Sequence, residues 1–185
     1  MHDGDHRLKL LEQVVGVLRK RGIPHALIGA SAMAVHGLNR TTLDADLMAL
    51  DPACLDRQTW TDLNAQGVDV EITKGDLTDP LAGVARFETP GQPPVDLVIG
   101  KFTWQREMIE RAPLRSYADL ELPILGPADL ILLKLYAGGP QDAWDILQVL
   151  EGPDRERLIE VVERELPRLP ERCSALWKRV LESGF

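Results

Sequence analysis

Cysteine is scarce in this sequence: two of its 185 residues are cysteines, Cys54 and Cys173. They lie far apart, and the sequence contains no CxxC motif and no Cys/His spacing typical of a zinc site. We therefore expect no zinc centre, and a protein that works in a reducing compartment, the cytoplasm.

Long hydrophobic runs are also lacking. The apolar stretch from Leu130 to Ala137 is interrupted by Lys134 and is far shorter than the roughly 20 residues needed to cross a bilayer. The first residues, MHDGDHRLKL, are charged and lack the apolar segment of a secretory signal. The sequence thus predicts a soluble, cytoplasmic protein without a membrane partner.

Basic residues are outnumbered, since 21 Lys and Arg against 29 Asp and Glu give a formal net charge of -8. A protein that coats a nucleic-acid backbone needs a basic face, so that class is disfavoured. Aromatic residues make up 5%, and the four tryptophans are scattered, which indicates core or interface positions rather than a platform for stacked bases. The carboxylate excess suits a protein that binds divalent cations.

The order of hydrophobic patterns predicts an α/β fold: a small mixed sheet flanked by helices over residues 1–125, then a helical bundle over 126–185. Strands are predicted at His25 to Ile28, Asp44 to Leu50 and Val68 to Thr73, with a hairpin at Val84 to Ile99. Helices are predicted at Asp5 to Arg21, Ala30 to His36, Cys54 to Ala65, Phe102 to Arg111, Pro127 to Ala137 and Gln141 to Leu150, with two more in the tail.

The first strand runs directly into Gly29, where a helix is predicted to begin. Unpaired backbone N–H groups at a helix N-terminus attract anions, so this turn suits a phosphate. Gly29 allows a ligand to approach the backbone, and Ser31 offers a hydroxyl donor. The signal is weak by itself, because many strand-to-helix turns carry glycine for packing alone.

Two carboxylates follow on the second strand. Asp44 and Asp46 are at i and i+2, which places both side chains on one face. Two anions about 5 Å apart repel by roughly 3 kcal/mol at an effective dielectric near 20, and a divalent metal usually offsets such repulsion. Asp96 projects from another predicted strand, opposite to its apolar neighbours. Oxygen-only ligands favour Mg²⁺ or Mn²⁺, and three convergent acids can hold two such ions; a lone acid pair would more often be a solvated edge.

The stretch from Leu27 to Leu50, LIGASAMAVHGLNRTTLDADLMAL, combines these features. Its pattern GxSAxxxHGxxRxTxDxDL resembles the small bacterial nucleotidyltransferases related to AbiEii-type toxins, within the DNA polymerase beta superfold. Arg40 and Thr42 occupy the RxTxDxD frame of that family, and Arg40 either contacts a phosphate or pairs with Asp44. Ala30 stands where the superfamily usually has Gly or Ser, a position that acts mainly through its backbone N–H.

A second resemblance lies between Asp129 and Leu150, DLILLKLYAGGPQDAWDILQVL, which is similar to the KLxA…(R/K)DxxDI segment of the same family. Asp142 and Asp145 share one face of a helix and are implied as nucleotide contacts. Lys134 either neutralises charge on the transferred phosphate or forms a buried ion pair with Asp145, and both interpretations stay open. Gln141 replaces the basic residue that the family commonly carries before the first acid.

The resemblance implies in-line attack of an acceptor hydroxyl on the α-phosphate of an NTP. Asp44, Asp46 and Asp96 would hold Mg²⁺ or Mn²⁺, and Asp96 would also help to deprotonate the acceptor. The turn at Gly29 would bind the remaining phosphates, and Lys134 would supply positive charge.

Three functions are compatible with this reaction site. The family resemblance suggests a toxin-like enzyme that acts on tRNA and is neutralised by an antitoxin protein. A small-molecule transferase similar to aminoglycoside nucleotidyltransferases fits the net charge of -8 better. A catalytically inert binding or regulatory module is the third interpretation.

Overall fold

A computed structural model describes residues 8–38 and 44–183 of the chain. The described residues divide into two compact units: 8–35 with 44–125, and 36–38 with 126–183. The first contains both sheets and the second is helical, so the predicted mixed α/β fold with a helical C-terminal part is confirmed. Within the described residues, none of the helices has the length and apolar character that a membrane crossing requires.

The strands are β1 (His25–Ile28), β2 (Ala45–Ala49), β3 (Asp69–Lys74), β4 (Gly83–Glu88), β5 (Val95–Ile99), β6 (Leu114–Tyr117) and β7 (Leu120–Pro123). The α-helices are α1 (Lys9–Lys20), α2 (Gly29–Val35), α3 (Thr61–Ala65), α4 (Thr103–Arg111), α5 (Pro127–Ala137), α6 (Pro140–Leu150), α7 (Arg155–Glu165) and α8 (Glu171–Ser183). Short 3-10 helices lie at Pro52–Leu55, Arg57–Trp60 and Leu166–Arg168.

The main sheet has the strand order β1-β2-β5-β4-β3. The β2 and β5 pair is parallel and the other neighbours are antiparallel, including the predicted hairpin of β4 and β5. Because β2 and β5 are neighbours in the sheet but not in sequence, the crossover brings two distant segments side by side. In this register Asp46 lies opposite Asp96, and Asp96 lies opposite Arg86.

Alternation divides the main sheet into an apolar face and a polar face. Leu47, Leu97 and Phe87 are fully buried on the apolar face, where the Trp60 ring meets Phe87 edge-on at 4.6 Å between centroids. Burying such side chains is the main favourable contribution to folding. The buried, half-buried alternation of β5 confirms that Asp96 faces the other way. The polar face therefore carries the candidate acids.

The prediction of one continuous helix from Cys54 to Ala65 is wrong. The segment forms two 3-10 turns and the five-residue α3. Asp56 interrupts it with an extended backbone, φ -104° and ψ 123°, while its side chain accepts a hydrogen bond from the N–H of Gln58. Asp side chains compete with helical hydrogen bonding in this way, and the apolar period alone does not reveal it.

β6 and β7 form a two-residue hairpin whose turn residues, Ala118 and Asp119, have positive φ angles of 47° and 66°. Positive φ at both turn positions matches the right-handed twist of a hairpin, although alanine adopts it at a cost. The residues that follow β7 are hydrogen-bonded to β1, since the N–H of Leu125 donates to the carbonyl of Leu27 at 3.1 Å. The hairpin is thereby fixed beside the strand that leads to Gly29.

The second unit packs α5, α6, α7 and α8 around an apolar interior, and the two predicted tail helices are confirmed. α5 ends at Gly138, whose φ of 70° closes the helix in the left-handed region that glycine adopts without strain.

Both cysteines are fully buried and carry no disulfide. Burial raises the pKa of the Cys54 thiol to about 12, and burial also raises the pKa of Cys173.

Candidate active site

The turn between β1 and α2 carries the carboxylate of Asp46 directly against its backbone. Gly29 has a φ of 64°, and a Cβ atom added there would lie 2.1 Å from Oδ2 of Asp46. A side chain at this position would force the Asp46 side chain to shift, because real Cβ atoms do not approach other atoms so closely. Glycine is thus required both by the backbone angle and by the neighbouring acid. The predicted approach of phosphate to this turn stays a prediction.

Asp46 and Asp96 are register partners on the parallel strands β2 and β5. Neighbouring strands lie about 4.8 Å apart and paired residues project from the same face. Both residues are half-buried on the polar face. The structure therefore brings together two of the three predicted metal ligands, although they are far apart in sequence.

Arg86 on β4 holds the Asp96 carboxylate and was not found by sequence reasoning. Its Nη1 donates to both oxygens of Asp96, at 3.1 and 2.8 Å, and its Nε donates to Oε1 of Glu88 at 2.7 Å. The hydrogen bond to Glu88 and the charge of Asp96 raise the pKa of Arg86. The hairpin of β4 and β5 was predicted without its register, and only the register pairs these residues.

Asp44 lies one residue before β2, and its main-chain carbonyl accepts a hydrogen bond from the hydroxyl of Ser31 at 2.8 Å. The Ser31 hydroxyl accepts in turn from the hydroxyl of Tyr117 at 3.0 Å. A serine hydroxyl has one proton to donate. In this structure Ser31 donates it to the carbonyl of Asp44. Its predicted donation to a phosphate stays a prediction. Tyr117 is a second residue that sequence reasoning missed.

The donor set fits a hard divalent cation. Carboxylate oxygens are the ligands that Mg²⁺ and Mn²⁺ prefer. An ionised carboxylate has about four acceptor positions, of which Arg86 uses two on Asp96. The predicted convergence of all three acids is not found, since no group of three His, Cys, Asp or Glu side chains among residues 8–38 and 44–183 is arranged to hold a metal ion. Asp46 and Asp96 are the two predicted ligands that the sheet register places side by side.

Lys134, Asp142 and Asp145 form a separate cluster within the second unit. Lys134 Nζ donates to Oδ1 of Asp142 at 3.2 Å and to Oδ2 of Asp145 at 2.5 Å. The other oxygen of Asp142 accepts from the N–H of Gly139 at 2.9 Å, which caps the start of α6. The buried ion pair between two helices is therefore present. Contacts of these residues with a nucleotide stay a prediction.

Arg40 and Thr42 lie outside the described residues. Ala30 follows Gly29 in α2 and is half-buried. Its predicted backbone contact with phosphate stays a prediction.

A crystal structure of ANT(2″)-Ia in complex with adenylyl-2″-tobramycin is similar over 87% of this chain and 97% of its own, with a TM-score of 0.57 at 13% sequence identity. A solution structure of the antibiotic-resistance factor ANT(2″)-Ia gives a TM-score of 0.52 over 87% of this chain and 91% of its own, also at 13% identity. The chain has a nucleotidyltransferase fold.

The expected nucleotidyltransferase fold is thus confirmed. The lincosamide adenylyltransferase LnuA with lincomycin bound is similar over 76% of this chain and 94% of its own, at 12% identity and a TM-score of 0.49. No protein-family model and no curated protein matches the sequence, and the resemblance to AbiEii-type toxins is not shown.

Proposed function

We propose that this protein is a Mg²⁺-dependent nucleotidyltransferase that transfers a nucleoside monophosphate from an NTP to a hydroxyl group of a small cationic molecule. The observation that carries the proposal is the pairing of Asp46 with Asp96 on the polar face of a nucleotidyltransferase fold. The contact between Asp46 and the turn at Gly29 supports it, because that turn is where the phosphates are expected.

In this proposal Asp46 and Asp96 would hold Mg²⁺, or Mn²⁺ in its place, with Asp44, which the structure does not group with them, as the expected third ligand. When bound, such a cation would neutralise charge on the phosphates and polarise the α-phosphate. The acceptor oxygen forms a bond to the α-phosphorus while the bond to pyrophosphate breaks, and the hydroxyl proton passes to Asp96. Most of the gain in such reactions comes from positioning and electrostatics, so rigid support of the acids matters.

Charge around the site favours a cationic acceptor. Glu88 accepts from Arg86 and also lines a groove of about 430 Å³, a size suited to a small molecule. Asp69, the register partner of Glu88, lines the same groove, which reaches Pro94 at the start of β5. Carboxylates therefore extend from the groove to the reaction site. The net charge of -8 likewise favours a cationic acceptor. The adenylyl-2″-tobramycin named in the ANT(2″)-Ia complex is an adduct of a small molecule.

The alternative expected from sequence, a toxin that modifies tRNA and binds an antitoxin, draws no support from the comparisons. An RNA backbone next to these carboxylates would be repelled. We therefore rank the small-molecule acceptor first, and keep tRNA as a parallel arm of the test.

The decisive experiment incubates the protein with each of four labelled NTPs, Mg²⁺ and either a panel of aminoglycosides or total tRNA. We expect label on a small molecule and pyrophosphate release. Asp44→Asn should lower the transfer rate on the order of 10³-fold, because loss of a ligand charge removes several kcal/mol of transition-state stabilisation. Asp154→Asn, which removes an exposed acid in the second unit, is the matched control and should retain the rate. Full activity of Asp44→Asn would show that Asp44 is not a metal ligand. Label on tRNA alone would show that the acceptor is tRNA and not a small molecule.

A further inference from the structure

The loop between β3 and β4, residues 75–82, carries Leu77, whose side chain is fully exposed. A single exposed leucine is common on protein surfaces and has no significance by itself. This leucine is flanked in sequence by two exposed acids, Asp76 and Asp79. The loop therefore presents an apolar side chain between two negative charges.

The loop is ordered by its own hydrogen bonds and by a lysine. The N–H and the hydroxyl of Thr78 both donate to Oδ1 of Asp76 at 2.7 Å, and the Asp76 N–H donates to Oδ2 of Asp79 at 2.6 Å. The bond from the Thr78 hydroxyl lowers the pKa of the Asp76 carboxyl, which is therefore ionised at neutral pH. Lys101 Nζ donates to the carbonyls of Asp76 and Asp79 at 2.6 and 2.8 Å. Because the loop is ordered in advance, a partner that buries its tip loses little conformational entropy.

A groove of about 680 Å³ lies beside the C-terminal half of β3. Its apolar lining includes Leu55, which is buried, and Ile72, which is half-buried. Arg57 and Lys74 line the same groove and are exposed, and within residues 8–38 and 44–183 neither side chain forms an ion pair. The remaining charged residue of the lining, Asp56, accepts a hydrogen bond from a backbone N–H. The groove is thus apolar with an excess of positive charge, in a chain whose net charge is -8.

The loop and the groove lie at the same edge of the main sheet. β3 ends the strand order, and in the part of the chain that the structure describes β4 is its only strand partner. Lys74 is the last residue of β3, and Leu77 follows it by three residues. A two-fold dimer needs two complementary features side by side, because each copy must give and receive the same contact. The loop tip and the groove meet this requirement.

We propose that this edge is a homodimer interface, in which Leu77 of each copy inserts into the groove of the other. There it packs on Leu55 and Ile72. The acids on either side of it pair with Arg57 and Lys74, so the two surfaces match in charge as well as in polarity. Charged residues on an edge strand also oppose direct pairing of two edges, and the contact therefore uses side chains and not the backbone of β3.

Sedimentation velocity over a range of protein concentrations measures the dimer. Because the interface is small, we expect a dissociation constant on the order of 10 μM for the wild-type protein. Leu77→Lys removes the apolar anchor and places a cation in a basic groove. Both contacts of the dimer are lost together, so the dissociation constant should rise at least about 100-fold. The thermal midpoint of the monomer should not change, since the Leu77 side chain is fully exposed.

Leu114→Lys is the matched control, because it changes another exposed leucine of the first unit and should leave the dimer intact. A groove variant that combines Arg57→Glu with Lys74→Glu should be monomeric, like Leu77→Lys. A mixture of these two monomeric variants should form heterodimers. In the mixture one contact is the wild-type contact, and in the other the introduced lysine meets an acidic groove.

Three results would overturn the proposal. The first is a wild-type protein that stays monomeric up to about 1 mM. The second is an equal effect of Leu77→Lys and Leu114→Lys, which would place the dimer contact elsewhere. The third is a mixture that stays monomeric, which would show that the loop and the groove are not partners. None of these results bears on the proposed function, since sedimentation is measured without nucleotide or acceptor.

Discussion

Two clusters in this protein each pair a basic side chain with carboxylates, but they differ in burial. In the second unit, Lys134 lies between two carboxylates, and the three side chains are 5 to 20% exposed. In the first unit, Arg86 contacts Asp96 and Glu88 while its own side chain is 40% exposed, and the carboxylates beside it include Asp46. The Lys134 cluster is closed, whereas the Arg86 cluster is open. Among the residues named, both have more acid than base, with two acids to one base in the first and three to one in the second.

The difference shows how a cation site can be distinguished from a structural ion pair. In the buried cluster Lys134 contacts both carboxylates, because desolvation of an unpaired ion costs several kcal/mol. A half-exposed cluster can keep excess negative charge, since water screens it until a cation binds. The open cluster of the first unit is therefore the better candidate for metal binding.

The largest expected effect separates the clusters by stability. Lys134→Met leaves Asp142 and Asp145 without their cation and should lower the free energy of unfolding by roughly 3–5 kcal/mol. Urea denaturation measures this change. The control is Lys178→Met, whose parent side chain is 79% exposed and should matter by less than about 1 kcal/mol. Equal effects of the two variants would show that the buried cluster is not a structural pair.

The next prediction tests the open cluster with a substitution that creates a steric clash. Gly29→Ala forces a methyl group into the position of the Asp46 carboxylate, and we expect transfer to fall at least about 100-fold. Gly22→Ala is a close control, because Gly22 has a φ of 66° and nothing lies within 4 Å of its added Cβ. Both variants carry the same backbone strain, so a difference in activity isolates the contact with Asp46. If the two variants retain equal activity, that contact has no catalytic importance.

The smallest effect on stability should come with a clear effect on activity. Arg86→Met removes an exposed pairing, which should change the free energy of unfolding by at most about 1 kcal/mol. Transfer should nevertheless fall about 10- to 100-fold, the usual result of losing the partner of a ligating carboxylate. Parallel assays of unfolding and transfer measure both quantities. A stability loss as large as that of Lys134→Met would remove the contrast between the clusters.

Sequence periodicity predicted the faces of the strands, but not their neighbours. The alternation around Asp96 correctly placed its side chain opposite the apolar core, because that choice depends on local burial. The parallel pairing with Asp46 depends on a crossover between distant segments, and no local pattern encodes it. Arg86 was missed for a different reason, because the hairpin of β4 and β5 was predicted without the register that pairs Arg86 with Asp96.

Tyr117 shows more strongly that local sequence patterns do not reveal contacts between distant segments. It precedes a turn formed by Ala118 and Asp119, neither of which is the glycine that marks such turns. Its contact with Ser31 joins a hairpin to a helix far away in sequence, so only the fold reveals it. The Lys134 cluster was easier to predict, since a lysine among leucines needs a nearby acid and Asp145 lies on the next helix.

The burial of both thiols gives the chain a practical property. At neutral pH Cys54 and Cys173 stay protonated and shielded, and maleimide reagents react with accessible thiolates. A cysteine introduced at the fully exposed Leu77 would then carry a fluorophore or spin label at one defined place, with both native cysteines retained.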